Sequence, residues 1–482
     1  MNWNSRWGVM ALAAAMGLLA ASTVQAQGIA WSPYTYELKS GTKIAAELGE
    51  LQTPLHHDRD GSKTTTLHFV KIPGLRPSAS APIIYLAGGP GGSGIEAGRG
   101  DRWTLFDALR QEGDVILLDQ RGIGLSSPLP ACSTSWSFPN EEASTETSFN
   151  ASMEAAASRC AVEWRAGGVD LSAYNTAENA ADVADLARAL GGHVRLVAIS
   201  YGTFLAFAVL RDHADLVDRV VLAGIEGPDH TLKLPTQADV ALARLSQAMV
   251  RNPAAAKLTP DLKRSVEAVL AGLARAPAWG EVKAKDGTTT RVLISKYDVQ
   301  MFTAFLMATT TNASRLPALY AAMQKGDFSG AAQTVQWLRR FLAQPPAMAL
   351  AMDAASPVSP GRERKAQALI SQSLFGNAVN APSGDFARAL GVPKLPDRWR
   401  TSIKSKVPAY FISGDLDSRT PPGNAEEISH GFAKSNRLVL QGAGHDNDLF
   451  LSSPIILERI GAFLRGEAMR DETVKVDILR LE

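Results

Sequence analysis

Residues 196–207 read LVAISYGTFLAF, and the fold turns on how Ser200 sits in that stretch. The pattern G-x-S-x-G marks a sharp strand-to-helix turn that lifts a serine hydroxyl to the top of a sheet. Here Ala198 takes the place of the first glycine and Gly202 keeps the second. Both positions must be small because strand and helix approach closely there, and alanine adds only a methyl group. The flanks agree with the turn. HVRLVAI (193–199) is a β-branched apolar run that reads as a buried strand, and TFLAFAVLRD (203–212) has helical apolar spacing. By itself a serine between small residues is more often a structural turn, so its chemistry depends on partners elsewhere in the chain.

Outward from this turn the chain repeats one rhythm. APIIYLAG (81–88), GDVILLDQ (113–120), DRVVLAGI (218–225), VPAYFISG (407–414) and NRLVLQGAG (436–444) are short apolar strands, and most are separated by helical stretches such as TAENAADVADLARALGG (176–192). Apolar strands alternating with helices predict an α/β fold with a mainly parallel sheet covered on both faces. Before them YTYELK (34–39), KIAAELGELQTPL (43–55) and TTTLHFVKIP (64–73) alternate in the manner of half-buried strands and are broken by HHDRDGSK (56–63). The rhythm stops across residues 229–406, where stretches such as 236–252, 259–276, 295–310 and 314–344 read as helices. That block is expected to be a helical insertion over the sheet, dividing the core into 27–228 and 407–482. Within it QPPAMALAMDAASPVSPGRER (344–364) is expected to be a mobile loop, because prolines and small residues replace helical periodicity.

Composition bounds the function. A chain of 482 residues, 45% hydrophobic, can bury a large core, and a net charge of +1 gives no electrostatic argument for nucleic acid or an anionic membrane as partner, so neither is expected. Residues 1–26 read as a secretory signal: Arg6 precedes an apolar run from Val9 to Ala21, and small residues at Val24 and Ala26 predict cleavage after Ala26. The run is short for a bilayer span, so no membrane anchor is expected after cleavage. Cys132 and Cys160 are the only cysteines, and an even count in an exported chain predicts one disulfide. Their spacing does not suit zinc, and no metal or other cofactor is expected. Nothing in the sequence points to an oligomeric state.

Two loops supply partners for Ser200. DLDSRTPPG (415–423) places Asp415 and Asp417 after one strand, and GAGHDN (442–447) places His445 after the next. Nucleophile, acid and histidine in this chain order, each at a strand end, predict a triad of Ser200, Asp417 and His445. A serine hydroxyl is a weak nucleophile at neutral pH. His445 would take its proton, and Asp417 would hold the imidazole in the right tautomer. LAGGPGGSG (86–94) follows the strand at 81–88 and lets backbone approach substrate, so the amides of Gly89 and Tyr201 are expected to form the oxyanion hole.

These motifs, with DVILLDQRGIGLSSP (114–128), YNTAENAADVADLARALGG (174–192) and GELQTPLHHDRDGSKTTTLHFVKIP (49–73), resemble the α/β-hydrolase family of prolyl aminopeptidases and tripeptidyl aminopeptidases, the exported tripeptidyl branch in particular. The resemblance covers most of the chain after the signal. It implies an α/β-hydrolase fold with a lid insertion and a serine exopeptidase, with Ser200, Asp417 and His445 in the family's catalytic positions and Gly88–Gly92 in its oxyanion loop. Asp119 and Arg121, in DQRGIGLS, fall in a segment expected to be scaffold. Ala87 stands where prolyl aminopeptidases carry histidine, and AGIEGP (223–228) stands where the exported branch reads like DGVVDP.

An aminopeptidase must offset the desolvation of a charged α-amine with a carboxylate. Glu226, at a strand end, is the expected anchor, with Asp229 a weaker candidate and Asp298 of the insertion an alternative. The substrate class stays open between peptides, cut by an aminopeptidase, and a small ester or amide cut by the same triad. A binding protein on this fold is disfavoured because every catalytic part is present.

Overall fold

A computed structural model describes residues 28–76, 80–133, 136–343, 347–356 and 358–476; the signal segment lies outside these residues. Among the described residues twelve strands form: β1 (Ala30–Glu37), β2 (Lys43–Pro54), β3 (Thr64–Ile72), β4 (Ile83–Leu86), β5 (Val115–Asp119), β6 (Val194–Ser200), β7 (Val217–Ile225), β8 (Ala278–Lys283), β9 (Thr289–Ile294), β10 (Ala409–Gly414), β11 (Ser435–Gln441) and β12 (Glu472–Lys475). Ten of them make one sheet in the order β1-β2-β3-β5-β4-β6-β7-β10-β11-β12. From β5 to β12 every pairing is parallel, whereas β1, β2, β3 and β5 pair antiparallel.

The continuous apolar runs are the central strands, since a parallel strand covered on both faces has no polar side to show. Alternation then sorts their side chains between two layers. Leu196, Ala198, Val220, Leu222 and Phe411 pack with helices Thr176–Ala189 and Tyr201–Asp212. Val197, Ile199, Val221, Tyr410 and Ile412 pack with helices Trp103–Leu109 and Pro454–Leu464 on the other face.

Between β7 and β10 the chain leaves the sheet and builds a third apolar cluster of its own, around Leu242, Val266, Phe302, Tyr320 and Leu338. It is not purely helical. β8 and β9 form an antiparallel hairpin that turns at Asp286-Gly287, with Gly287 at φ 88°. An Asp-Gly pair between alternating runs carries that signal in the sequence, where mostly helices were expected. The stretch 314–344, expected as one helix, is two, Leu316–Gln324 and Ser329–Leu342, parted by Gly326 at φ 86°.

The expected mobile loop at 344–364 is a correction. Its described residues form helices Ala347–Ala355 and Pro360–Ile370. Met348, Ala351 and Met352 are fully buried against the main core, so small and thioether side chains that show no helical period still fill a close-packed site. The Cys132–Cys160 disulfide is formed and ties the segment after β5 to helix Glu146–Ala166. No helix among the described residues is long and apolar enough to cross a membrane.

Candidate active site

Ser200 ends β6 and begins helix Tyr201–Asp212 at φ 56° and ψ −128°. Positive φ is rare for a residue with a Cβ and costs about 1–3 kcal/mol, so the surrounding packing holds it there. Gly202 explains how: a Cβ at that position would lie 2.1 Å from the Leu86 carbonyl oxygen, so the helix can only start this close to β4 without a side chain. A Cβ on Gly88 would lie 2.9 Å from that of Ser200, which brings the glycine loop against the serine. Ala198 pairs with Leu86 and Leu222 and is fully buried, so its methyl group is accommodated.

His445 follows β11, and its Nδ1 lies 2.7 Å from Asp417 Oδ2. The Asp417 carboxylate also accepts from the Arg419 and Thr420 amides at 2.7 and 2.8 Å and from the Thr420 hydroxyl at 2.6 Å. Burial acts to raise its pKa, but the facing His445 and these donors hold it below the usual carboxylate range. Asp415 is engaged elsewhere, accepting from the Gly442 amide at 2.7 Å. Gly224 of β7, at φ 59°, leaves room for the imidazole: a Cβ there would meet His445 Cε1 at 2.8 Å. Arg102 fixes the following loop by bonding Asp446, Asn447 (2.9 Å) and the Tyr85 hydroxyl (2.7 Å). No hydrogen bond among the described residues joins the Ser200 hydroxyl to His445.

The glycine loop is held from behind. Asn179 donates to Gln120 at 2.8 Å, and Gln120 donates to the Ala87 carbonyl at 3.0 Å. Asp119 accepts from the Ser93 hydroxyl and from the Ile95 and Leu125 amides. Arg121 is fully buried and bonds both oxygens of Asp182, so this segment serves as scaffold. Gly89, at φ 122°, follows Gly88 in the loop that packs against Ser200, and Tyr201 is the first residue of the helix after it.

The acids considered for an amine are all partnered. Glu226 is 7% exposed and its Oε2 lies 2.8 Å from Lys233 Nζ. Asp229 accepts from the amide and hydroxyl of Ser359. Asp298, fully buried, pairs with Arg339 at 3.0 Å. Sequence reasoning missed Thr420 and Lys233. Thr420 lies inside the quoted 415–423 motif, but nothing local marks Lys233 as the partner of Glu226. His56, Asp58 and Glu178 bring donor atoms within 4.8 Å of one another, yet His56 is bound to Asp170 at 2.9 Å and Glu178 to His57 at 2.6 Å.

A family model described as the alpha/beta hydrolase fold matches residues 81–449. The serine protease Hip1 of Mycobacterium tuberculosis is 27% identical over 219 residues, 43% of this chain and 40% of that protein. The tripeptidyl aminopeptidase of Streptomyces lividans is 25% identical over 220 residues, 44% of this chain and 40% of that protein. The matched segment thus spans well under half the length of these relatives. Among solved structures, the α/β hydrolase MGS-M2 from a deep-sea metagenome library overlaps at TM-score 0.37 and 12% identity, covering 85% of this chain and 97% of that one. With a family model spanning well over half its length, this chain belongs to the α/β-hydrolase family.

Proposed function

We propose that this protein is an exported serine aminopeptidase that releases N-terminal residues or short peptides. The observation that carries the reading is the Asp417–His445 hydrogen bond of 2.7 Å on loops that follow β10 and β11, with Ser200 strained at the end of β6 on the same sheet. In this reading His445 takes the Ser200 proton as the oxygen attacks the scissile carbonyl, and Asp417 stabilises the imidazolium that forms. The Gly89 and Tyr201 amides donate to the oxyanion. His445 returns the proton to the leaving amine, and water then enters by the same route to cleave the acyl-enzyme.

The peptidase character is supported by the names of the two curated relatives, a serine protease and a tripeptidyl aminopeptidase. Export is supported by the signal pattern of residues 1–26 and by the disulfide, which persists in oxidising compartments. The insertion acts as a lid that limits how much chain extends beyond the scissile bond on the amino side. It leaves the sheet after the C-terminal end of β7 and returns ahead of β10, which leads into Asp417.

The test is a panel of p-nitroanilides of one to three residues, each free and N-acetylated. Hydrolysis of the free peptides with little action on the acetylated ones is expected. Equal rates on both, or faster cleavage of small esters than of any peptide, would make the protein an esterase or amidase. Cutting of internal bonds in an unfolded protein as readily as tripeptide anilides would remove the lid's role.

A further inference from the structure

One sulfur atom of the insertion joins both halves of the expected oxyanion hole. Met352, on helix Ala347–Ala355, is fully buried. Its Sδ accepts from the Tyr201 hydroxyl and, at 3.2 Å, from Asn179 Nδ2. Each of these donors leads to one half of the hole. Tyr201 supplies its own amide at the first residue of the helix after Ser200. Asn179 also donates to Gln120 at 2.8 Å, and Gln120 donates at 3.0 Å to the Ala87 carbonyl, which precedes Gly88 and Gly89 in the loop against Ser200.

The hydrogens of this network are fully spoken for. The Asn179 amide uses both of its own, one on Gln120 and one on the sulfur. The Tyr201 hydroxyl has a single hydrogen for the sulfur, and Thr176 Oγ1, 3.0 Å away, can donate to the Tyr201 oxygen in turn. Thr176, Asn179, Gln120, Tyr201 and Met352 are each at most 1% exposed, so bulk water cannot take the place of a lost acceptor. The insertion in turn fixes the sulfur. The Ser356 hydroxyl donates to the Met352 carbonyl at 2.8 Å. Met348, one turn earlier, stands against Gly122, where a Cβ would lie 3.2 Å from that of Met348.

We propose that Met352 is a positioning residue through which the insertion holds both oxyanion donors in place, so that the hole is complete only while helix Ala347–Ala355 is seated. This rests on the serine-hydrolase reading with Gly89 and Tyr201 as donors, and it gives the insertion a part in the chemistry as well as in substrate length. A thioether is a weak acceptor, but its effect here is on placement. Oxyanion donors act because they are aimed before charge develops, and a misplacement of about 1 Å costs on the order of 10²-fold in rate. Without the sulfur, one hydrogen of Asn179 and that of Tyr201 are buried with no acceptor, and side chains shift to avoid that state. Each such shift moves one half of the hole.

The experiment compares the parent with Met352→Leu, Tyr201→Phe and the double variant on Ala-Ala-Ala-p-nitroanilide and p-nitrophenyl acetate. A tripeptide boronic acid, whose tetrahedral adduct places an oxygen in the hole, serves as the inhibitor. Met352→Leu keeps the size of the side chain and removes the acceptor, so its thermal midpoint should stay near that of the parent. Its kcat should fall about tenfold on both substrates with KM within about twofold, and the boronic acid should bind more weakly by about the same factor. The pH profile of kcat should keep its parental shape, because the triad is untouched. Tyr201→Phe keeps the amide and the ring, so it tests the same bond even if Met352→Leu does not fold. Its kcat should fall about fivefold, and the double variant should lose no more than Met352→Leu alone. A kcat within about twofold of the parent in either folded variant overturns the assignment, as does a raised KM with kcat kept, an unchanged boronic-acid affinity, or additive losses in the double variant. If the parent hydrolyses neither substrate, the serine-hydrolase reading fails first and the role of Met352 with it.

Discussion

At the scale of single residues the site is a set of commitments made by hydrogen bonds. Asp417 spends its acceptors on His445, Thr420 and two amides, while Asp415 is tied to Gly442, so only one of the two acids can orient the imidazole. Asp417→Asn should therefore lower kcat far more than Asp415→Asn, and a reversed ranking in steady-state kinetics would move the role. Ser200→Ala keeps the backbone strain and the packing but removes the attacking oxygen. Its kcat should fall by about 10³-fold or more with an unchanged thermal midpoint. Activity within about tenfold of the parent would sink the nucleophile assignment.

At the scale of elements, the turn between β6 and helix Tyr201–Asp212 is made by what is missing from it. Gly202 has no room for a Cβ, because the Leu86 and Ala87 carbonyl oxygens lie 2.1 and 2.9 Å from where one would stand. Those contacts are backbone, which cannot rotate away as a long side chain can. Gly202→Ala should cost about 3 kcal/mol, read as a lower urea midpoint, and should lose activity as well because Ser200 shifts with the helix start. A variant of parental stability would show that the helix slides freely. Ala198 behaves differently: its methyl group is buried between strands without conflict, so the same motif position that family members give to glycine here tolerates a larger residue.

At the scale of the whole molecule, contacts distant in sequence hold the N-terminal strands and the disulfide segment to the core. His57, in the turn between β2 and β3, bonds Glu178 at 2.6 Å and Asp185 at 3.1 Å on helix Thr176–Ala189. Burial acts to lower its pKa, but Asp185 and Glu178 outweigh it and raise the imidazole to about 9. A group whose folded pKa exceeds its unfolded value stabilises fully below the unfolded value, and the contribution is lost as pH rises through the folded one. Stability should fall between about pH 6.5 and 9, by at most on the order of 3 kcal/mol, and His57→Gln should flatten that part of a thermal-midpoint profile. A parental slope in the variant would place the titration elsewhere. The Cys132–Cys160 bond closes a loop with a sequence separation of 28, and replacing both cysteines with serine should cost on the order of 3 kcal/mol, seen as a lower denaturant midpoint. Alkylation of natively exported protein without reductant should leave no labelled cysteine in an intact-mass measurement; two labelled thiols would exclude the bond in the cell.

The sequence by itself determined the sheet and the chain order of its chemistry. β4, β5, β6, β7 and β10 were legible as apolar runs because a strand buried on both faces has no polar alternation to hide it, and glycine-rich turns mark where Ser200, Asp417 and His445 leave their strands. Such signals are local: each depends on neighbours a few residues away. Tertiary structure decided the rest. The helix at Ala347–Ala355 has no period of its own and forms because Met348, Ala351 and Met352 fill the core. The edge strand β12 exists only by pairing with β11. Whether an acid is available for substrate cannot be read from its position along the chain either, since Glu226 is taken by Lys233 and Asp298 by Arg339. A charge is free or spent according to which side chains the fold brings against it, and those partners come from distant parts of the chain.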